Sequence, residues 1–177
     1  MLFDQHISPL CSNPLFQSEE WRRVRYFMEE NDMLIKKYRP IFTELYKKNS
    51  KLKVKPGNKA FMCLGEFKSL FERIGIAGNE IQERDINISF NCSMMTQIDE
   101  LENERFIRMS EIEFIEAVGR CSSILPDQCR VENVFEKETP MYGKFEWIIH
   151  ELKMLCSEDV KSQFSPTESL FRKEEDD

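Results

Sequence analysis

Several residue types that commonly mark catalysis or a bound cofactor are scarce in this sequence. Its 177 residues include only six glycines and two histidines. No glycine-rich phosphate loop, nucleophile elbow or HExxH motif occurs, and neither His6 nor His150 has a Cys or Asp at a metal-binding spacing. We therefore expect a protein that is not an enzyme and that needs no cofactor.

Long apolar runs and an excess of positive charge are also lacking. No run approaches the roughly 18 apolar residues of a membrane span, and the first residues lack the basic flank and apolar stretch of a signal peptide. The formal net charge is −7 at pH 7, whereas nucleic-acid binding needs concentrated positive charge. We expect a cytoplasmic protein that has no membrane span and does not bind nucleic acid.

Closely spaced cysteine pairs are absent as well. The six cysteines are scattered and form no CxxC motif. Several of them fall on apolar positions of predicted helices, which is typical of reduced thiols in a protein core. We therefore expect a reducing compartment.

An arm at 1–18 precedes the first predicted helix. Pro9 and Pro14 interrupt this arm, and its isolated apolar residues fit neither a helix nor an alternating strand. Ser18 is the predicted N-cap of a helix that runs to about Lys37. The apolar face of this helix is formed by Trp21, Val24 and Met28.

Apolar residues recur three and four positions apart in most of the remaining chain, which predicts further helices. These segments are 40–49, 67–74, 84–98, 114–121 and 141–157. Residues 84–98 also suit a short strand, because Ile86, Ile88 and Phe90 alternate, but we favour helix there. The segment at 158–177 ends in RKEEDD and is too polar to pack, so we expect a disordered acidic tail.

A short motif occurs twice and precedes two of these helices. The sequences MCLGEF at 62–67 and MSEIEF at 109–114 share an apolar residue, three spacers, Glu and Phe, at an offset of 47 residues. This motif resembles the second half of an EF-hand loop of the calmodulin superfamily. In that family, the apolar residue pairs with the partner loop in a short β-bridge, and the Glu is a bidentate calcium ligand.

The sequences FNCSMMTQIDE at 90–100 and MSEIEFIEA at 109–117 are similar to degenerate EF-hand modules of ciliate and flagellar proteins. The resemblance implies a mainly α, EF-hand-like domain at 19–157 with paired helix-loop-helix units at about 40–75 and 86–122. It also implies a place in an axonemal microtubule assembly, with tubulin or other axonemal proteins as partners.

Calcium binding is not expected in either loop, because most ligand positions carry the wrong residue. Counting back from Glu66 places Lys55 and Lys59 at loop positions one and five, where an EF-hand uses carboxylates or other oxygen ligands. In the second loop, Ile107 occupies the position of the usual glycine. A weak site in that acidic loop is the alternative; its ligands would be Asp99, Glu102, Glu104 and Glu113.

Two surfaces are predicted to bind other proteins. An adaptable apolar groove is the first, although the same side chains would equally suit a core. Its candidate residues are Phe67, Phe71, Met94, Met95, Phe114 and Val118. A basic strip that could meet an acidic surface such as a tubulin tail is the second, with a solvated loop as the alternative. Its residues are Lys47, Lys48, Lys51, Lys53, Lys55 and Lys59.

Two functional hypotheses follow from these features. The first is a non-catalytic structural or adaptor protein that binds other members of a larger assembly, which the resemblance places in the cilium. The second is a calcium-responsive EF-hand regulator with one weak site, which would expose a groove on binding the ion.

Overall fold

The computed structural model describes residues 18–51, 60–94, 107–126, 128–129, 133–134 and 140–164, and these residues are mainly helical. In chain order the elements are α1 (Ser18–Trp21), a π-helical turn (Arg22–Tyr26), α2 (Glu29–Lys37), α3 (Arg39–Asn49), α4 (Leu64–Arg73), α5 (Glu83–Ser93), α6 (Glu111–Ile124), β1 (Gln128–Cys129), β2 (Asn133–Val134), α7 (Met141–Lys153) and α8 (Glu158–Ser162). The two short strands pair antiparallel. The predicted mainly helical class is confirmed.

Helix α6 lies at the centre of the fold. Every residue from Glu113 to Ser122 is buried, which is expected of a helix that other elements cover on all sides. Apolar side chains of the neighbouring helices pack around it in one continuous core. The aromatic members with at most 2% exposure are Phe42, Phe67, Phe71, Phe90, Phe114 and Phe145.

The predicted helices from α3 to α6 are present. Pro40 lies in the first turn of α3, where its missing N–H costs no hydrogen bond. Gly75, with φ of 73°, follows the end of α4, because glycine adopts this left-handed conformation without strain. Residues 83–93 are helical, so the strand alternative for this segment is wrong.

The single helix predicted from Ser18 to Lys37 is wrong. The chain instead forms α1, a π-helical turn and α2, with Met28 in an extended conformation between the last two. Ser18 lies inside α1 and donates its hydroxyl to the carbonyl of Cys92 at 3.0 Å. The predicted shared face is also wrong, because Trp21 is buried while Val24 and Met28 are 53% and 46% exposed.

The C-terminal segment packs further than predicted. Helix α7 ends at Lys153, and α8 follows at Glu158–Ser162, within the segment that was predicted to be a disordered tail. Val160 and Phe164 pack against the core. The prediction of a disordered tail is therefore wrong for residues 158–164, and residues 1–17 and 165–177 lie outside the described residues.

Candidate functional site

The two repeated motifs meet in an isolated antiparallel bridge. Met62 and Met109 exchange both backbone hydrogen bonds: the N–H of Met62 donates to Met109 at 3.1 Å, and the reverse bond measures 2.9 Å. Both methionines are fully buried. Two segments that are far apart in sequence are thereby held together at the entrances of α4 and α6.

Each bridge residue is followed directly by a capping box. In this motif the N-cap side chain accepts the backbone N–H of a Glu three residues later, and the Glu side chain accepts the backbone N–H of the N-cap residue. The Cys63 N–H donates to Glu66 Oε2 at 2.8 Å, and the Ser110 N–H donates to Glu113 Oε2 at 2.7 Å. The other carboxylate oxygen of Glu66 accepts the N–H of Lys51 at 2.9 Å. Both glutamates therefore stabilise helix entrances.

Of the four residues predicted for the weak calcium site, the structure describes only Glu113. Asp99, Glu102 and Glu104 lie outside the described residues, whereas Glu113 is buried and bound to Ser110. No group of three or more His, Cys, Asp or Glu side chains within the described ranges is arranged to hold a metal ion.

The predicted apolar groove is occupied by the core. Phe67, Phe71, Phe114 and Val118 have no exposed surface, and Met94 is 6% exposed. The rings of Phe67 and Phe114 meet edge to face at 6.1 Å. These five residues therefore do not line an open groove, and Met95 lies outside the described residues.

An exposed apolar surface, which the sequence did not predict, lies at the break between the π-helical turn and α2. We define this apolar surface by Val24, Phe27, Met28 and Tyr142, which are 53%, 71%, 46% and 37% exposed. Three of the four line a cleft of about 420 Å³, together with Arg25, Glu30, Asn31, Pro140 and Met141.

The buried amide of Asn31 holds this break in place. Its Nδ2 donates to the carbonyls of Arg25 and Tyr26, at 2.7 and 3.3 Å. These carbonyls lie at the end of the π-helical turn, where no backbone N–H of the same helix is left to donate to them. The Asn within the predicted helix from Ser18 to Lys37 was the sequence signal that could have indicated the break.

Gly119 of α6 allows the π-helical turn to pack closely. A Cβ atom there would lie 3.2 Å from the ring of Tyr26. The Tyr26 ring also stacks on Trp21, with 5.4 Å between their centroids. An alanine at position 119 would require the Tyr26 ring and the Met141 side chain to move by a few tenths of an ångström.

A buried charge cluster fixes this segment to α6. The Glu116 carboxylate accepts hydrogen bonds from Nε of Arg22 at 2.8 Å and from Nη2 of Arg120 at 2.9 Å. The Arg120 guanidinium also lies 4.1 Å from the ring of Trp21, within the range of a cation–π contact. Burial lowers the pKa of Arg120, but an arginine remains charged at neutral pH.

Part of the predicted basic strip borders a second cleft. Lys47 and Lys48 lie exposed in the last turn of α3, and Lys51 follows it. A shallow cleft of about 870 Å³ separates α3 from α8. Its lining residues are Lys36, Arg39, Pro40, Thr43, Glu44, Lys47, Lys48, Ser157, Asp159 and Val160. Lys53, Lys55 and Lys59 lie outside the described residues.

Three of the described thiols are not activated as nucleophiles. Burial raises the pKa of Cys92, that of Cys121 to about 12 and that of Cys156 to about 11. These thiols are therefore protonated at neutral pH, and protonated thiols react slowly.

Among the described residues, no helix has both the length and the apolar character that crossing a membrane requires. Comparisons with models of protein families, with curated proteins and with solved structures gave no match.

Proposed function

We propose that this chain is a non-catalytic adaptor that binds another protein through the apolar surface at the helix break. The observation that carries the proposal is the exposure of Val24, Phe27 and Met28 beside a cleft. Contiguous apolar side chains left in solvent commonly mark an interaction site. The break exposes them on a rigid base, because Asn31 and the buried Arg22–Glu116 pair hold the chain on both sides.

The partner segment is expected to place an apolar side chain in the cleft and charged residues of both signs near its edge. Arg25 and Glu30 line the cleft, and both are exposed. Opposite charges at the edge of an interface favour encounter and orientation, while the buried apolar contact supplies most of the affinity.

The paired loops support an EF-hand-like scaffold within this proposal. The Met62–Met109 bridge and the two capping boxes fix the relative positions of the helix-loop-helix units. Glu66 and Glu113 act as helix caps, so we propose a scaffold that does not require calcium. The assembly that it serves is proposed to be ciliary, a placement that rests on the sequence resemblance.

Affinity capture from the cells that express the protein tests the adaptor function. Phe27→Ser should lose the partners that the wild-type chain retains, because Phe27 is the most exposed member of the apolar surface. Ile112→Ser is the matched control, because Ile112 is equally exposed at 71% but lies on α6. Retention of the same partners by both variants would overturn the proposal.

The ciliary placement needs a separate measurement. A tagged chain expressed in ciliated cells should remain with the axonemes after detergent extraction. Complete release into the detergent-soluble fraction would contradict the ciliary placement and would leave the adaptor function to the capture experiment.

A further inference from the structure

The cleft beside the apolar surface contains a buried acceptor that lacks a hydrogen bond. Asn31 lines this cleft and is only 1% exposed. Its Nδ2 donates to the carbonyls of Arg25 and Tyr26, but its Oδ1 accepts no hydrogen bond from any of the described residues. A buried acceptor without a donor is costly, so a ligand that donates to this oxygen gains a contact that the chain itself does not make.

The other groups that line this cleft suit an aromatic ring. Val24, Met28, Met141 and Tyr142 contribute apolar side chains, and methionine sulfur packs favourably against aromatic rings. Arg25 also lines the cleft and is exposed. A guanidinium attracts the face of an aromatic ring, and that of tryptophan most strongly. The cleft volume of about 420 Å³ accommodates one large side chain.

Tryptophan is the side chain that meets both requirements. Its indole N–H donates and does not accept, which matches an oxygen that lacks only a donor. Phenylalanine has no such donor, and tyrosine would bring the lone pairs of its own oxygen. Met28 and Met141 have unbranched, adaptable side chains, so an inserted ring can displace them and reach Asn31.

We propose that the cleft receives a tryptophan side chain of the partner protein, whose indole N–H donates to Asn31 Oδ1 while its ring packs against Met28 and Met141. This inference rests on the proposed function, because it names the side chain that the partner places in the same cleft. A second copy of this chain is not the source. The sequence has two tryptophans: Trp21 is 1% exposed, and Trp147 packs against the core.

Methyl NMR of the full chain, isotope-labelled at its methionines, tests the proposal. The probe is the synthetic peptide Lys-Ser-Ser-Trp-Ser-Ser-Glu, whose ends carry both signs of charge, as the cleft edge does. The ring current of a bound indole should shift the methyl signals of Met28 and Met141 saturably. Met154 provides the control signal, because it is 66% exposed and does not line the cleft.

A second peptide separates the hydrogen bond from the apolar contact. It replaces tryptophan with benzothienylalanine, which has nearly the same shape but carries sulfur in place of the N–H. The Kd should rise about fivefold, because Asn31 Oδ1 then gains no donor. The change is made in the peptide because Asn31 also holds the helix break through its Nδ2, and a substitution there would disturb the cleft itself.

Phe27→Ser should bind the tryptophan peptide with a Kd within about twofold of wild type, because Phe27 does not line the cleft. Loss of binding in this variant would place the indole on the apolar surface outside the cleft and would overturn the proposal. Equal affinity for the two peptides, an equal shift of Met154, or no shift at all would also overturn it. Each of these results leaves the adaptor function to the capture experiment, which depends on Phe27.

Discussion

Residues with buried charge have the largest individual effects on the fold. Arg120 and Glu116 have side chains that are only 2% and 9% exposed, and removing a charge from water is costly unless it is paired. The Glu116 carboxylate serves Arg22 and Arg120 together. One residue of α6 therefore positions both the π-helical turn and the ring of Trp21, which lies against Arg120.

Glu116→Gln should lower the free energy of unfolding by about 3–5 kcal/mol, because it removes the anion that both guanidinium groups contact. Urea unfolding followed by circular dichroism measures this loss. Glu111→Gln is the control, since its partner Arg39 is 54% exposed and such a pair contributes at most about 1 kcal/mol. Equal losses in the two variants would contradict the special role of Glu116.

The capping boxes act at the scale of the element, since each fixes where a helix begins. We expect Ser110→Ala to lower the free energy of unfolding by about 1 kcal/mol, because an N-cap hydroxyl that accepts a backbone N–H is lost. Glu113→Gln should cost much less, because glutamine also completes a capping box. Denaturant titration of the two variants gives the comparison.

The same Glu113→Gln variant separates the cap from a calcium site. A bidentate EF-hand ligand requires both carboxylate oxygens, so the amide would abolish calcium binding. We expect neither wild type nor variant to gain stability when millimolar Ca²⁺ is added. A calcium-dependent gain in wild type that is lost in Glu113→Gln would favour the regulator hypothesis.

The sequence predicted best those helices in which the spacing of apolar residues defines the face that becomes buried. In α4 and α6 the stripes led by Phe67 and Phe114 are buried as expected. Helical period also identified α5, although alternating isoleucines there suited a strand. These helices bury the face that their own sequence defines, so local pattern and tertiary packing agree.

Periodicity did not predict the break before α2, because it registers neither the bonds from the Asn31 side chain to the Arg25 and Tyr26 carbonyls nor contacts with other elements. Ser18 and Trp21 bind Cys92 and Ser123, which are 74 and 102 positions away. Such tertiary contacts override the local helical preference. For the same reason the apolar surface was missed: the pattern assigned Val24 and Met28 to a buried face that the break turns outward.

The predicted groove is the opposite case, because residues that were predicted to face a partner are buried in the core. Periodicity identifies apolar side chains that leave water, but it does not tell whether a partner or another part of the same chain covers them. In this fold Phe42 and Phe145 complete the packing around Phe114 and its neighbours. The five described candidates are buried, and the space assigned to a groove beside them is filled by other side chains of the same chain.

Helix α8 is docked by a contact that acid should weaken. Burial alone would raise the pKa of Glu44, but hydrogen bonds from Lys48 and Ser157 lower it below its ordinary value of 4.5. A carboxylate with a lowered pKa stabilises the fold above pH 4.5, and that contribution is lost as the pH falls through the lowered value. We expect α8 to detach at acidic pH before the core unfolds.

Hydrogen exchange at the Ser157 amide, corrected for intrinsic rates, measures this detachment. Protection should decline in wild type as the pH falls through the lowered pKa of Glu44. Glu44→Gln should show lower protection that does not change over this pH range, because a neutral amide oxygen accepts the Ser157 N–H more weakly than a carboxylate and does not titrate. Identical pH profiles for wild type and Glu44→Gln would contradict the role assigned to Glu44.

At the scale of the whole molecule, contacts between distant parts of the chain close the fold. Tyr38 donates its hydroxyl to Glu146 at 2.7 Å across 108 positions, and Arg22 reaches Glu116 across 94. Both contacts join the first described helices to one continuous core. This arrangement predicts that the helices from α1 to α7 unfold together, since none of them buries its apolar face alone.

The two tryptophans allow this cooperativity to be measured from opposite ends of the chain. Trp147→Phe leaves Trp21 as reporter of α1, whereas Trp21→Phe leaves Trp147 as reporter of α7. In each variant, the urea transition seen by tryptophan fluorescence should coincide with that seen by circular dichroism. An earlier fluorescence transition in Trp147→Phe alone would mean that the segment bearing the apolar surface unfolds first. The π-helical turn that carries Phe27 would then be mobile, and the partner would have to order this turn on binding.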